Sequence, residues 1–96
     1  MKRTESIRRL DLRFIAHVTT ITGILEESYQ TGVSTIRELL DELDARYSGF
    51  RDLFVNRETG QMSLNAMIYY SDAGEVPVSI IDLDHAVSDG GTVTFW

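Results

Sequence analysis

The amino-acid sequence predicts an α+β fold in which one main helix packs on a mixed sheet of about four or five strands. Residues 35–47 show the 3.6-residue hydrophobic period of an amphipathic helix. Stretches on both sides of this segment alternate apolar and polar residues, as strands with one buried face do. Because a single amphipathic helix must cover its apolar stripe, we expect the strands to form one sheet across it.

Length and composition are typical of a single globular domain, residues 1–96. A domain of this size buries about 60–65% of its unfolded surface, which is enough for a core without covalent cross-links. The sequence has no cysteine, which excludes disulfides, thiolate metal sites and cysteine nucleophiles. It contains no recognisable catalytic motif, and we expect neither enzyme activity nor a bound cofactor.

Charge and hydropathy argue against binding to nucleic acid or to membranes. The net charge is −6, whereas neutralising phosphates requires clustered lysine and arginine. The basic N-terminus lacks the apolar stretch of a signal peptide, and no apolar run is long enough to span a bilayer. We therefore expect a soluble, cytoplasmic protein.

Acidic residues dominate the sequence after Arg57, which has no further lysine or arginine. They are Glu58, Asp72, Glu75, Asp82, Asp84 and Asp89, and all but Glu58 lie in the last third. A surface of this kind would attract a basic surface on a partner protein. A charged surface that serves solubility alone is the alternative.

Two strands that pair as a hairpin are predicted before the helix. The first covers residues 10–18, with Leu10, Leu12, Phe14, Ala16 and Val18 inward and Asp11, Arg13, Ile15 and His17 outward. A turn or short loop at residues 19–23 leads to a more polar strand at residues 25–30, which suits a sheet edge. His17 is expected to be an ordinary surface histidine.

The helix has the clearest pattern in the chain. Its apolar stripe consists of Ile36, Leu39, Leu40, Leu43 and Tyr47. Thr35 and Glu38 form a capping box, in which each side chain accepts a hydrogen bond from a free backbone N–H. Gly49 can take the positive φ that ends a helix.

After the helix, a short turn at residues 50–54 should cover the end of the core, and a loop follows at residues 56–60. The third strand is predicted from the alternation of Met62, Leu64, Ala66, Ile68 and Tyr70. Pro77 limits residues 76–78 to a short edge strand. The connecting segment after it is anchored by Ile80, Ile81, Leu83 and Val87. A turn at residues 88–91 precedes the final strand, residues 92–96, which should run beside the first strand at the sheet centre.

This element order is that of the ubiquitin-like β-grasp fold. Two of its segments resemble sulfur-carrier proteins, namely the small subunit of molybdopterin synthase and the thiamin sulfur carrier. The helix motif reads Thr-Ile-Arg-Glu-Leu-Leu at residues 35–40, followed by Leu43 and by Ala-Arg-Tyr at residues 45–47. The final turn and strand read Val-Ser-Asp-Gly-Gly-Thr-Val-Thr-Phe at residues 87–95. The resemblance covers nearly the whole chain and implies the β-grasp fold for all of it.

The resemblance also implies what to look for at the C-terminus. In that family a flexible tail ends in Gly-Gly, and an activating enzyme adenylates the terminal carboxylate before it becomes a thiocarboxylate. The present sequence ends at Trp96 without such a tail, so we expect the scaffold without the site of sulfur transfer. Gly90 and Gly91 are expected to form a tight turn instead, because cleavage there would remove the central strand.

The candidate partner-binding residues are Met67, Tyr69, Asp89, Thr94 and Trp96. Met67, Tyr69 and Trp96 are expected to point outward, and an apolar patch exposed on a sheet often marks a protein partner. The apolar end at residues 95–96 leaves dimerisation open.

Asp82, Asp84 and His85 are weak candidates for metal ligands, because they place two carboxylates and an imidazole within four positions. They lack the glycine, asparagine and distal glutamate of an EF-hand loop. A solvent-exposed acidic loop is the alternative, and we expect no bound metal.

The leading functional hypothesis is a non-enzymatic β-grasp module that binds a larger protein through its sheet face and its acidic last third. The resemblance implies an adenylating enzyme, or an enzyme of molybdopterin, tungstopterin or thiamin biosynthesis, as that partner. One alternative is a genuine sulfur carrier whose Gly-Gly end is missing from this sequence. Another is a metal or small-molecule binder that uses Asp82, Asp84 and His85.

Overall fold

The computed structural model describes residues 7–63 and 65–96. Its strands are β1 (Arg8–Phe14), β2 (Glu26–Thr31), β3 (Ile68–Ser71), β4 (Val78–Ser79) and β5 (Thr92–Phe95). Its α-helices are α1 (Thr19–Thr22) and α2 (Ile36–Arg46), and two 3-10 turns lie at Ala16–Val18 and Arg51–Leu53. The strands form one sheet in the order β2-β1-β5-β3-β4. β1 is antiparallel to β2 and parallel to β5, whereas β3 is antiparallel to both β5 and β4. The predicted mixed sheet with one main helix is confirmed.

One face of this sheet packs on α2, and the core lies between them. Aromatic rings fill its centre: Phe14 stacks on Phe95 with ring centroids 5.7 Å apart, and Phe50 meets Phe95 edge-on at 5.1 Å. Burying each such side chain contributes about 1.5–3 kcal/mol to folding. Phe50 and Phe54 are fully buried, so the turn predicted at residues 50–54 does cover the end of the core.

The capping of α2 differs from the prediction in one bond. Thr35 Oγ1 accepts a hydrogen bond from the Glu38 N–H at 3.2 Å, as expected for an N-cap. The Glu38 carboxylate, however, accepts from the backbone N–H of Ser34 at 2.8 Å, one residue before the cap. This bond holds the pKa of the Glu38 carboxyl below its ordinary value. At the other end, Gly49 has φ +90°, as predicted for the residue that follows a helix.

The first strand is shorter than predicted, because β1 ends at Phe14 rather than continuing to Val18. Its neighbour β5 ends at Phe95, and the Ile15 N–H makes the last bond to that strand, 2.9 Å from Phe95 O. Beyond this point the chain turns, with Ala16 at φ +57°. His17 is exposed, as predicted, but it lies in the 3-10 turn and not on a strand.

The third strand is also shorter than predicted. It covers Ile68–Ser71 instead of residues 62–70, because its partner β5 offers four residues for pairing. Met62 instead bridges Val55, and Leu64 lies outside the described residues. Ile80 anchors the connecting segment as expected, but Ile81 is 83% exposed. The Ile80 N–H donates to Ile68 O at 2.8 Å, which turns Ile80 into the core and its neighbour away from it.

The entry to β5 is fixed by Tyr70. The Tyr70 hydroxyl donates to the Asp72 carboxylate at 2.7 Å and accepts from the Ser88 N–H at 2.7 Å. Gly90 has φ +85°, and a Cβ added to Gly91 would lie 2.5 Å from the Tyr70 hydroxyl oxygen. The predicted turn before the last strand is confirmed, and its second glycine is required because the tyrosine ring passes directly against the backbone.

Gly91→Ala is therefore expected to destabilise the fold by about 3 kcal/mol, since overpacking would displace the Tyr70 ring from its hydrogen bonds. In a Tyr70→Leu background the same change should cost less than about 1 kcal/mol, because the atoms that clash are gone. The measurement is denaturant unfolding of the two single variants and the double variant. Gly74→Ala, where an added Cβ meets nothing within 4 Å, is the control whose cost should be the same in both backgrounds. Equal costs for Gly91→Ala in both would contradict this account.

Polar contacts fasten β2 to α2. The Tyr29 hydroxyl donates to the Glu42 carboxylate at 2.9 Å, and the Thr31 hydroxyl donates to the same oxygen at 2.6 Å. Burial, together with the hydrogen bond and the negative charge of Glu42, raises the pKa of Tyr29 to about 12. The folded chain therefore holds this proton more tightly than the unfolded chain does.

We expect stability to fall as the pH rises from about 10 to about 12, because the unfolded chain releases the Tyr29 proton first, near the ordinary tyrosine pKa. Below about pH 10 both states keep the proton, so this contribution is fully present there. Ultraviolet titration of tyrosinate should show a step near pH 12 whose amplitude Tyr29→Phe lowers by one tyrosine and part of which Glu42→Gln shifts to lower pH. Burial also raises the pKa of Tyr47 and of Tyr70, so an unchanged amplitude in Tyr29→Phe would assign the step to those residues.

Candidate protein-docking face

The face of the sheet turned away from α2 carries the outward side chains of the central strands. We call it the open face and define it by Arg9, Asp11 and Arg13 of β1, Thr92 and Thr94 of β5, and Tyr69 and Ser71 of β3. Strand register places Arg13, Thr94 and Tyr69 side by side in one row across it. Because each of these residues alternates with a buried one, the packing of the core fixes the direction of all three side chains.

Four of the five candidate partner-binding residues come together at one end of this face. Tyr69 lies directly opposite Thr94 in the β3–β5 ladder. The Trp96 N–H donates to Met67 O at 2.9 Å, which extends the ladder beyond the strand ends. The Tyr69 hydroxyl lies 3.6 Å from Met67 Sδ. Met67 and Trp96 are 47% and 40% exposed. We call Met67, Tyr69 and Trp96 the apolar patch.

Asp89 lies apart from the other four, in the turn at the opposite end of β5. Its carboxylate accepts a hydrogen bond from the Arg9 N–H at 2.8 Å. The same turn donates from the Gly90 N–H to Arg9 O at 2.8 Å. These bonds tie the turn to β1, so the position of Asp89 is accounted for by its structural contacts.

A concavity of about 240 Å³ adjoins the apolar patch on the open face. It is lined by Arg13, Tyr69 and Thr94 of the sheet and by Glu75 and Pro77 of the loop between β3 and β4. Sequence alternation indicated that Arg13 points outward. The alternation did not predict that Glu75 and Pro77 would lie on the same face. A two-residue period describes a strand and says nothing about the path of the loop that carries these residues.

The candidate metal ligands Asp82, Asp84 and His85 make polar contacts with other groups of the protein. The Asp84 carboxylate accepts from Arg37 Nε at 2.9 Å, and this hydrogen bond holds the pKa of Asp84 below its ordinary value. Asp82 accepts from the backbone N–H of Asp84 at 2.9 Å, and His85 Nδ1 lies 2.8 Å from Ala86 O. Within residues 7–63 and 65–96, no three His, Cys, Asp or Glu side chains are grouped so that they could hold a metal ion.

No helix in the described part of the chain is both long enough and apolar enough to cross a bilayer.

Comparison with known proteins gives matches in structure but not in sequence. No family model and no curated protein matches the sequence. The solved HVO 2177 protein of Haloferax volcanii matches with a TM-score of 0.76 and 19% identity, over 99% of this chain and 87% of that one. A chain of the BexX/CysO complex of Amycolatopsis orientalis matches with a TM-score of 0.66 and 23% identity, over 91% of this chain and 92% of that one.

A third match is the protein proposed as molybdopterin converting factor subunit 1 of Pyrococcus furiosus. It has a TM-score of 0.63 and 20% identity, over 92% of this chain and 94% of that one. At these identities the matches establish the fold. The fold implied by the resemblance of residues 35–47 and 87–95 is confirmed: this chain has the ubiquitin-like β-grasp fold and shares it with the three solved proteins.

Proposed function

We propose that this protein is a β-grasp binding module, without a catalytic role of its own, that docks on a larger enzyme through the open face. The pathway we propose is sulfur transfer or the biosynthesis of a cofactor such as molybdopterin, tungstopterin or thiamin. The observation that carries the proposal is the apolar patch of Met67, Tyr69 and Trp96, which lies exposed at the end of the β3–β5 pair.

The composition of the patch supports a protein partner. Tryptophan, tyrosine and methionine are enriched in the buried centres of interfaces, and tryptophan and tyrosine supply much of the binding energy there. The backbone of the patch is held before binding by the β3–β5 ladder and by the bond from the Trp96 N–H to Met67 O, so little backbone freedom is lost on docking. Arg13 and Glu75 line the adjoining concavity, where they can serve as a polar rim of both charges.

The structural matches support the same role. Two of them are named as parts of assemblies, one as a chain of a complex and one as a subunit. The acidic last third of the chain favours a partner whose docking surface is basic, because opposite charges attract. An adenylating enzyme or a cofactor-synthesis enzyme with a basic docking surface fits this description.

Trp96→Ala is expected to weaken partner binding about 30-fold, the usual loss when an aromatic residue at the centre of an interface is truncated. Tyr69→Ala should act in the same direction. The chain, tagged at its N-terminus, is immobilised and exposed to extract of the native host, and captured enzymes are identified by mass spectrometry. The purified partner is then titrated against each variant by calorimetry.

Leu25→Ala is the matched control, because Leu25 is 68% exposed but lies just before edge strand β2, away from the patch. Its partner affinity should equal that of the wild type. Capture of an adenylating or cofactor-synthesis enzyme by wild type and Leu25→Ala, but not by Trp96→Ala, supports the proposal. Equal binding by all three chains contradicts docking through the open face.

The second candidate function is a genuine sulfur carrier whose Gly-Gly end is missing from this sequence. The observation that favours it is the exit of β5, where Trp96 is 40% exposed and an extension could leave without crossing the core. The reading frame of the natural gene after the Trp96 codon discriminates the two candidates. An in-frame Gly-Gly end supports the carrier, and a stop codon at that point excludes it.

If the frame continues to Gly-Gly, incubation with ATP, a sulfur donor and an activating enzyme tests the chemistry directly. Adenylation of the terminal carboxylate releases pyrophosphate, and transfer of sulfur to the acyl group releases AMP. Intact mass spectrometry should then show the replacement of one oxygen atom by one sulfur atom. An unchanged mass after incubation with the cognate enzyme contradicts this function.

A further inference from the structure

A second surface lies at the β4 edge of the sheet, where the chain segments on either side of the β3–β4 pair diverge. The last bond of this pair runs from the Ile80 N–H to Ile68 O, at 2.8 Å. Beyond it, residues 61–63, 66 and 67 face residues 79–84 across a groove of about 630 Å³. We call this the edge groove. Its size lies within the range of surface clefts that accept ligands or peptide side chains.

The walls of the edge groove are held in place before any ligand binds. Two backbone N–H groups of the first turn of α2 bond to one wall, Ile36 to His85 O at 3.0 Å and Arg37 to Leu83 O at 2.7 Å. The Arg37 side chain then joins the two walls, since its Nε donates to Asp84 and its NH1 donates to Gly60 O at 3.0 Å. The groove is therefore a fixed feature of the fold.

The groove presents apolar surface and one free sheet edge. Met62, Ile80 and Leu83 contribute apolar lining, and Ile81 is 83% exposed at its rim. β4 is the edge strand of the sheet. Because the Ile80 N–H points to β3, the alternation of an antiparallel ladder turns the N–H and C=O of Ser79 toward the free edge.

The charges around the groove favour a basic ligand. The Arg37 guanidinium is engaged by Asp84 and Gly60, and the first N–H groups of α2 are satisfied by backbone carbonyls, so neither is set up to receive an anion. Asp82 is exposed on the groove rim, and the sequence has no basic residue after Arg57. A second copy of this chain docked by the same edge would bring the acidic rims together, which like charges oppose.

We propose that the edge groove binds an extended basic segment of a partner protein, which pairs as a strand with Ser79 and Ile81. In this arrangement one apolar side chain of the segment packs against Ile81 inside the groove, and a neighbouring lysine or arginine lies beside Asp82. Main-chain pairing at a sheet edge supplies affinity, and pockets for alternate side chains supply specificity. This surface is distinct from the open-face docking proposed above.

The test uses two capped heptapeptides, one of alternating lysine and valine and one of alternating glutamate and valine. Titration of the isotope-labelled chain with the lysine peptide should give saturable amide shifts at residues 79–84 and at residues 61–63, 66 and 67. The glutamate peptide should give none. Added salt should weaken binding of the lysine peptide, because part of the attraction is between exposed charges.

Variants at exposed positions locate the site without risk to the fold. Ile81→Ser should weaken the lysine peptide about tenfold, since it removes one buried apolar contact. Asp82→Asn keeps the oxygen that accepts from the Asp84 N–H and should weaken the peptide about threefold, as for one exposed ion pair. Val76→Ser, at a residue that is 76% exposed outside the groove, is the matched control and should bind like the wild type.

Three results would overturn the proposal: no saturable shift, equal shifts with both peptides, or an Ile81→Ser affinity equal to that of the wild type. Trp96→Ala separates this surface from the apolar patch, and it should leave peptide affinity unchanged. Loss of peptide binding in Trp96→Ala would place the peptide on the open face and would also overturn the edge groove as its site. A negative result for the edge groove would not contradict docking through the open face, because open-face docking is tested separately with the captured enzyme.

Discussion

The position of β5 between β1 and β3 is the constraint on which the rest of the structure depends. β5 pairs in parallel with β1 and antiparallel with β3, so the N-terminal hairpin and the C-terminal strands are joined in one sheet through its four residues. Its inward residues, Val93 and Phe95, are fully buried. Parallel pairing of segments about eighty residues apart in the chain carries a high cost in loop closure, which aromatic packing at the sheet centre offsets.

The register of β5 also determines which side chains reach the open face. Gly90 and Asp89 bond to Arg9 before the strand begins, and the Tyr70 ring leaves space at Gly91 for a hydrogen atom alone. A slip of one residue would exchange the two faces of the strand. Thr94 would then enter the core, and β5 would no longer hold the residues of the apolar patch next to one another. The turn is thus important for the candidate site although it lies at the opposite end of the strand.

Local signals in the sequence predicted local structure well. The stripe of α2, its cap at Thr35 and the positive φ of Gly49 depend on neighbours within one or two turns, and the structure bears out all three. Strand ends were predicted less well, because the length of a strand depends on its partner. β1 ends and β3 begins opposite Phe95, the last residue of β5. The alternation in the sequence nevertheless continues to Val18 after β1 and starts as early as Met62 before β3. The same limit applies to the candidate site: alternation indicated that Met67, Tyr69 and Trp96 point outward, but it could not reveal that the loop carrying Glu75 and Pro77 would line the same face.

The apolar patch and the edge groove meet at Met67, whose sulfur lies 3.6 Å from the Tyr69 hydroxyl and which also lines the groove. Methionine suits such a boundary, because its flexible thioether adapts to surfaces of different shape. The charges differ across the sheet. Arg9, Asp11 and Arg13 lie on the β1 side of the open face, whereas Glu75 lines the open-face concavity from the β3–β4 loop and Asp82 lines the edge groove. In the docking proposed above, a partner that covers the patch would meet charges of both signs, and complementary charges on the partner would set its orientation as well as attract it. An extended basic segment of the same partner could then follow the acidic side past Met67 into the edge groove, so that a single enzyme would occupy both surfaces in one defined orientation.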